Sequence, residues 1–322
     1  MTVPSPIAIH CLSSRLVSLL LTAACLLPLS PALAQVKTGY PAERGLKSSD
    51  FPRTIRLADG VYGYEDIRAP GFTTVSMFFV GTEGVLLADG QESPQAMRRL
   101  LEAIARVSDK PVKWYVFGSD HLDHTGGNAL LPKDARLIVH PTSRAQLASD
   151  AINAKPDALR VSVPPTAMTS SEETVDIGGR EVRVMFLGRA HTGGDLVVYA
   201  PKEKILFMSE VYFNRVFPAM RAAFPDEWLS TIDKALQMDV QQFVPGHGFI
   251  EAASRSREQL VEFRGAVAYV IAEVTRLKSL GLSIDDAMKE ANWGPYTDWM
   301  LADSQRLVAI KRMYDQLDER LR

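Results

Sequence analysis

His121, Asp123, His124, His191 and His247 fall in three short segments of similar build. Ser119-Asp120-His121-Leu122-Asp123-His124-Thr125-Gly126-Gly127 follows the apolar run Val112 to Phe117. Gly188-Arg189-Ala190-His191-Thr192-Gly193-Gly194-Asp195 and Val244-Pro245-Gly246-His247-Gly248 each stand at the end of a further strand-like run. Neutral imidazole and carboxylate are nitrogen and oxygen donors that suit zinc. On a tight loop, His121, Asp123 and His124 can point at two metal positions, with glycines letting the backbone turn closely beneath them. Two divalent ions bring the pKa of a bound water near neutrality and polarise a carbonyl or phosphoryl oxygen. Each segment alone reads as a turn or an ordinary core histidine. Three in order, each after a strand, point to one centre. His140 ends a strand without such a setting and is left out of it.

The elements that must hold these loops are legible as two β-rich blocks with helices. Thr73–Val80 and Val85–Asp89 flank Gly81-Thr82-Glu83-Gly84, a hairpin signal, and Ser93–Val107 carries apolar residues at helical spacing. Strands at Val112–Phe117 and Arg136–His140 follow, then a helix near Ser143–Ala151. A second block pairs Glu173–Ile177 with Glu181–Leu187 around Gly178-Gly179-Arg180, and Asp195–Ala200 with Lys204–Phe207. Glu227–Met238 reads as a helix and Gln242–Val244 as a last strand. Such blocks suggest two packed sheets with helices outside. Beyond residue 250 three apolar stripes at helical period read as helices packed on the β domain, the second opened by a Ser283-x-x-Asp286 capping box.

The 322 residues carry 36 Lys+Arg against 38 Asp+Glu, a net charge of −2, with 46% hydrophobic residues. That excludes a disordered chain and a nucleic-acid binder working by bulk positive charge. Residues 1–34 read as a secretory signal peptide: Arg15, the apolar run Leu16–Leu29, then Ala32-Leu33-Ala34. The run is short for a membrane span, so no stable membrane anchor is expected after cleavage, and the mature protein is expected in the periplasm or secreted. Both cysteines, Cys11 and Cys25, lie in this segment, so the remainder has no disulfide and no thiolate ligand.

The order of segments resembles the metallo-β-lactamase superfamily. The motif H-x-H-x-D-H, a later histidine in G-x-x-H-T-x-G-D, an acid after a strand and a final G-H are matched in turn over roughly residues 54–250. The resemblance implies an α/β (α+β) fold, a four-layer αββα sandwich with the metal site at one edge. The divisions expected are 1–34 signal peptide, 35–53 N-terminal arm, 54–250 sandwich and 251–322 C-terminal helical extension. It implies metal ligands His121, Asp123, His124, His191, Glu210 and His247, with Asp89 supporting the metal loop from behind. The sequence departs from the family twice. Ser119 stands in place of the first motif histidine, and Glu210 in place of the usual aspartate. One site then keeps His121 and His191, plus Glu210 if it reaches. The other keeps Asp123, His124 and His247 and is expected to bind more tightly.

The function expected is a hydrolase holding one or two zinc ions per chain, or iron. A metal-bound hydroxide attacks the carbonyl of an ester, thioester, lactone or lactam in a small-molecule substrate. Asp123 orients the nucleophile and takes its proton. Three alternatives stay open: a β-lactamase proper, an iron-dependent oxidoreductase using His121, His191 and Glu210, and a degenerate metal or ligand binder. The segment Val211–Pro225, with Tyr212, Phe213, Phe217, Met220, Arg221 and Phe224, reads equally as a substrate cover, with Arg221 meeting an anionic group, or as packing beneath the C-terminal helices. The oligomeric state is left open.

Overall fold

The computed structural model describes Met1 and residues 38–153 and 162–319; apart from Met1, the expected signal peptide lies outside the described residues. Six strands form the first sheet in sequence order: β1 (Arg53–Ala58), β2 (Val61–Arg68), β3 (Phe72–Val80), β4 (Val85–Ala88), β5 (Val112–Val116) and β6 (Arg136–Ile138). β1 to β4 are antiparallel neighbours, whereas β4–β5 and β5–β6 are parallel. The parallel steps need crossovers. The first is α1 (Pro94–Val107), and α3 (Pro141–Asn153) follows β6. The second sheet runs β11-β10-β9-β8-β7, from β7 (Glu172–Asp176), β8 (Glu181–Met185), β9 (Val197–Ala200), β10 (Ile205–Phe207) and β11 (Gln242–Val244). Its one parallel pair, β10–β11, is joined through α4 (Pro225–Gln237).

Side-chain alternation explains the layers. Val75, Met77 and Phe79 of β3 and Leu86 and Ala88 of β4 face Val182 and Val184 of β8, Val198 and Ala200 of β9, and Phe207 of β10. These form the core between the sheets. The intervening Phe78, Val85 and Leu87 pack outward on Met97, Leu100 and Ile104 of α1. Val197, Tyr199, Leu206 and Phe243 pack outward on α4 and on α5 (Ala253–Ser279). Strands buried on both faces read as near-continuous apolar runs, as β3, β4 and β9 do. The result is four layers, helix–sheet–sheet–helix. The expected αββα class is what the chain adopts.

The remaining helices join the outer layer over the second sheet. α6 (Ile284–Glu290) starts at Ser283, whose Oγ accepts from Asp286 N at 3.2 Å, and α7 (Ala302–Leu317) packs Ala309, Ile310 and Met313 against α5. All three expected C-terminal stripes are therefore core-packing helices. Among the described residues no helix is long and apolar enough to cross a membrane.

Candidate metal centre

Strand ends place every candidate ligand along one edge of the two sheets. Asp89 ends β4 with a left-handed backbone (φ 60). Its Oδ1 accepts from Gly118 N at 2.7 Å and Ser119 N at 3.3 Å, which fixes the loop leaving β5. That loop becomes a four-residue helix, α2 (Leu122–Thr125), rather than the tight loop expected. The helical turn puts Asp123 and His124 side by side while His121, at its start, points elsewhere. Gly126 and Gly127 then pass so close to the Glu92 carbonyl and the Met97 side chain that a Cβ at either would overlap them. This is a need for room, not for special torsions. His191 follows β8, Glu210 sits on a 3-10 turn (Ser209–Val211) after β10, and His247 follows β11. Val75 N donates to Gly246 O and Asn214 N to His247 O, tying the last loop to both neighbours.

The donors converge as two groups that share Glu210. In one, His121 Nδ1 lies 2.9 Å from Glu210 Oε2 and 3.1 Å from His191 Nε2, and His191 Nε2 lies 3.3 Å from Glu210 Oε1. In the other, His247 Nε2 lies 3.3 Å from His124 Nε2, 3.2 Å from Asp123 Oδ2 and 3.3 Å from Glu210 Oε1. His124 Nε2 is 3.7 Å from Glu210 Oε1 and 3.9 Å from Asp123 Oδ2. Donors on a four-coordinate ion with bonds of about 2.0–2.2 Å sit about 3.3–3.6 Å apart. Facing imidazole nitrogens at 3.1 and 3.3 Å both offer lone pairs unless a proton or cation lies between them. The donor chemistry and spacing therefore fit metal ions, one group with four donors and one with three.

Partners behind the donors set their direction. His124 Nδ1 is 3.0 Å from Asp89 Oδ2, and His247 Nδ1 is 2.9 Å from the Thr73 carbonyl, which leaves both Nε2 atoms facing inward. Asp123 pairs with Arg68, whose guanidinium also reaches Glu92. Ser119 Oγ donates to Glu210 Oε2. Aromatic rings wedge the imidazoles: Phe213 against His191 at 5.1 Å, and Phe72 edge-on to His247 at 5.1 Å. His140 stands outside, stacked on Phe186 at 4.1 Å.

Burial and charge oppose each other throughout. Burial disfavours charge on Glu210, but His191, His121 and His124 hold its carboxyl well below the usual range. His124 and His247 likewise overcome burial to hold Asp123 low. Burial opposes the charged form of His121 and of His247. Glu210 nevertheless raises His121 to about 10, and Asp123 with Glu210 raises His247 to about 9. Burial wins at His191, which is pushed down to about 4. A cluster that holds protons this way exchanges them for metal.

The centre floors a cavity of about 710 Å³. Phe72, Phe213, Val216 and Ala219 wall it, and Leu301, Ser304, Gln305 and Val308, from the start of α7, close one side. The aromatic segment thus divides. Tyr212, Phe217 and Met220 are buried beneath the helices, while Phe213 and the exposed Arg221 reach the cavity. Sequence reasoning missed Arg68 and the α7 residues. Ile67-Arg68-Ala69-Pro70 has no motif, and the partners of Arg68 come from distant loops.

Comparison with known proteins accords with this geometry. The α subunit of 2,4-dinitroanisole O-demethylase from Nocardioides sp. (strain JS1661) is 28% identical over 213 residues, 64% of this chain and 61% of that one. A metallo-β-lactamase from Pontibacter korlensis superposes with a TM-score of 0.60 at 19% identity, over 67% of this chain and 99% of that one. A stereoselective inverting sec-alkylsulfatase from Pseudomonas sp. gives 0.62 at 15%, over 82% of this chain and 50% of that one. The chain thus spans about three fifths of the demethylase subunit's length. The model of the metallo-β-lactamase superfamily matches residues 69–247, more than half of the sequence, and the chain belongs to that superfamily.

Proposed function

We propose that the chain is a zinc-dependent hydrolase of small molecules that have an apolar body and an anionic end. One observation carries the reading: the Glu210 carboxylate reaches both sides, Oε2 facing His121 and Oε1 lying 3.3 Å from both His191 and His247, so two donor groups meet at the floor of a walled cavity. When bound, a pair of divalent ions supplies an activated water and polarises the bond under attack. The chain's own residues do the rest. Asp123, held by Arg68, orients the attacking water and takes up its proton. Phe72, Phe213, Val216 and Val308 take the apolar body and exclude bulk water. Arg221 lines the cavity without an ion-pair partner among the described residues, and it meets the anionic end. The bond cleaved belongs to an ester, thioester, lactone or lactam. Likeness to an O-demethylase subunit and an alkylsulfatase supports adding aryl methyl ethers and alkyl sulfates to the screen.

The test is metal analysis of the purified chain together with hydrolysis of such a panel. A metal-free protein whose activity is indifferent to chelator overturns the proposal. A second reading has its own observation: His121, His191 and Glu210 form a two-histidine, one-carboxylate group, the donor set of many non-haem iron sites. Bound iron with substrate-dependent oxygen uptake would decide for it. We also place the chain from residue 35 onward in the periplasm or medium. N-terminal sequencing of protein recovered there, starting elsewhere than Gln35, would remove that part.

A further inference from the structure

Ser119 and Glu210 are the two positions where this chain departs from its family's pattern, and in the fold they touch. Ser119 is fully buried and Glu210 nearly so. The serine hydroxyl accepts from His121 N at 3.2 Å, so its single proton is directed to Glu210 Oε2. Its backbone is held by Asp89, as is the Ser209 hydroxyl beside Glu210. One aspartate thus locks both partners. With Oε2 turned to Ser119 and His121, Oε1 lies 3.3 Å from both His191 and His247. A serine is much smaller than the histidine expected at 119, and it leaves room beside His121. An aspartate at 210 would withdraw its carboxylate by roughly one bond length, ~1.5 Å, away from that room.

We propose that Ser119 is a positioning residue whose hydroxyl holds Glu210 Oε2 on the His121 side, so that Oε1 is left to reach both His191 and His247. Serine and the longer acid together then replace the missing histidine. This rests on the metal-centre reading above. It differs from direct ligation by serine, because Ser119 acts only through Glu210.

The test is cobalt(II) titration of the metal-stripped full chain, read by visible absorption and calorimetry, with thermal melts to verify folding. The wild type is expected to take two equivalents. Ser119→Ala keeps one ion at wild-type affinity and binds the other about 10–100-fold more weakly, the usual cost of losing a group behind a ligand. Glu210→Gln weakens both. Ser119→Ala added to Glu210→Gln costs nothing further, since the residue it positions is gone. If Glu210→Gln does not fold, Glu210→Asp replaces it in the cycle with the same expectation. Ser119→Ala binding both ions as the wild type does overturns the proposal. So does an equal loss with and without the Glu210 substitution, which would make serine a ligand or a mere packing residue. A wild type that takes no ion overturns the metal-centre reading itself.

Discussion

The two donor groups share one glutamate but differ in what stands behind them. In the four-donor group every other ligand has a partner: the Asp89 carboxylate lies 3.0 Å from His124 Nδ1, off the line of a hydrogen bond, the Thr73 carbonyl holds His247 and Arg68 pairs with Asp123. In the three-donor group His191 Nδ1 is buried with no hydrogen-bond partner among the described residues, and His121 is partly exposed. Ligands already held in place lose less freedom on binding, and their outer partners are worth 10–100-fold in affinity. The difference teaches that one centre contains a preformed half and a half that the ion itself must order.

The sharpest way to break that division is to remove one donor from each half. Asp123→Asn is expected to lower turnover by about 10²–10⁴-fold, the usual worth of a general base, and to release the tighter ion as well. His191→Ala should strip only the weaker ion. Equivalent metal loss from both variants, measured by elemental analysis after gel filtration, would erase the distinction.

Chelation probes the same asymmetry without mutation. Graded chelator should take one ion before the other. The last ion removed should carry most of the thermal stabilisation, about 2.7 kcal/mol at a hundredfold excess over its Kd. A single melting step that is indifferent to metal content would contradict this. Asp89→Ala should cost about 10–100-fold in affinity, and it should fall on the four-donor half. Because Asp89 also holds Gly118 and Ser119, a smaller loss in the other half is expected with it.

Proton competition gives a further measure. In the metal-free chain His121 is held at about 10 and His247 at about 9, and Asp89 and Asp123 raise His124 against its burial as well, so each half carries at least one proton at pH 7 that an ion must displace. Affinity in both halves should rise with pH and level off near pH 10. His191, at about 4, is already neutral and contributes nothing above about pH 5. The sign for stability is opposite. Histidines whose folded pKa lies above the unfolded 6.5 stabilise the metal-free fold fully below that pH, and the contribution fades as pH rises through 9 to 10. Calorimetry in buffers of different ionisation enthalpy should count at least about two protons released per centre at pH 7, from His121 and His247, with any excess coming from His124. A count of zero would break the argument.

What the sequence made legible follows from the range of each signal. β3, β4 and α1 could be read because alternation and helical period are local, and Ser93 caps α1 from the neighbouring position. The histidine loops were legible because each motif is contiguous. The one-turn helix α2 was not, since four residues show no period. Arg68 was invisible because Glu92 and Asp123 lie far along the chain and are joined to it only by the fold. The aromatic segment was ambiguous because the same side chains serve both tasks: Phe213 wedges two imidazoles and also walls the cavity. Tyr212 packs on Phe263 of α5 and Phe217 on Trp293, whereas Phe213, equally buried against Phe263, also presents to the cavity, a division that only the fold sets.

Arg221 offers the smallest effect and a control on the whole comparison, because it backs neither half. Arg68 is spent on Glu92 and Asp123, so its loss would disturb the four-donor half. Arg221 is exposed on the cavity wall with no such duty. An exposed ion pair is worth about 0.2–1 kcal/mol, so Arg221→Ala should raise KM for an acidic substrate about 1.5–5-fold. It should leave kcat and both cobalt affinities unchanged, with no effect on a neutral ester of the same body. The KM effect should shrink with added salt, since screening acts on exposed charges. A change in metal affinity would place Arg221 behind the ligands. An equal KM change for charged and neutral substrates would make it a packing residue of the wall. An unchanged KM for the acid would leave the anionic end of the substrate to Arg68, at a cost to Asp123 that steady-state kinetics would reveal in kcat.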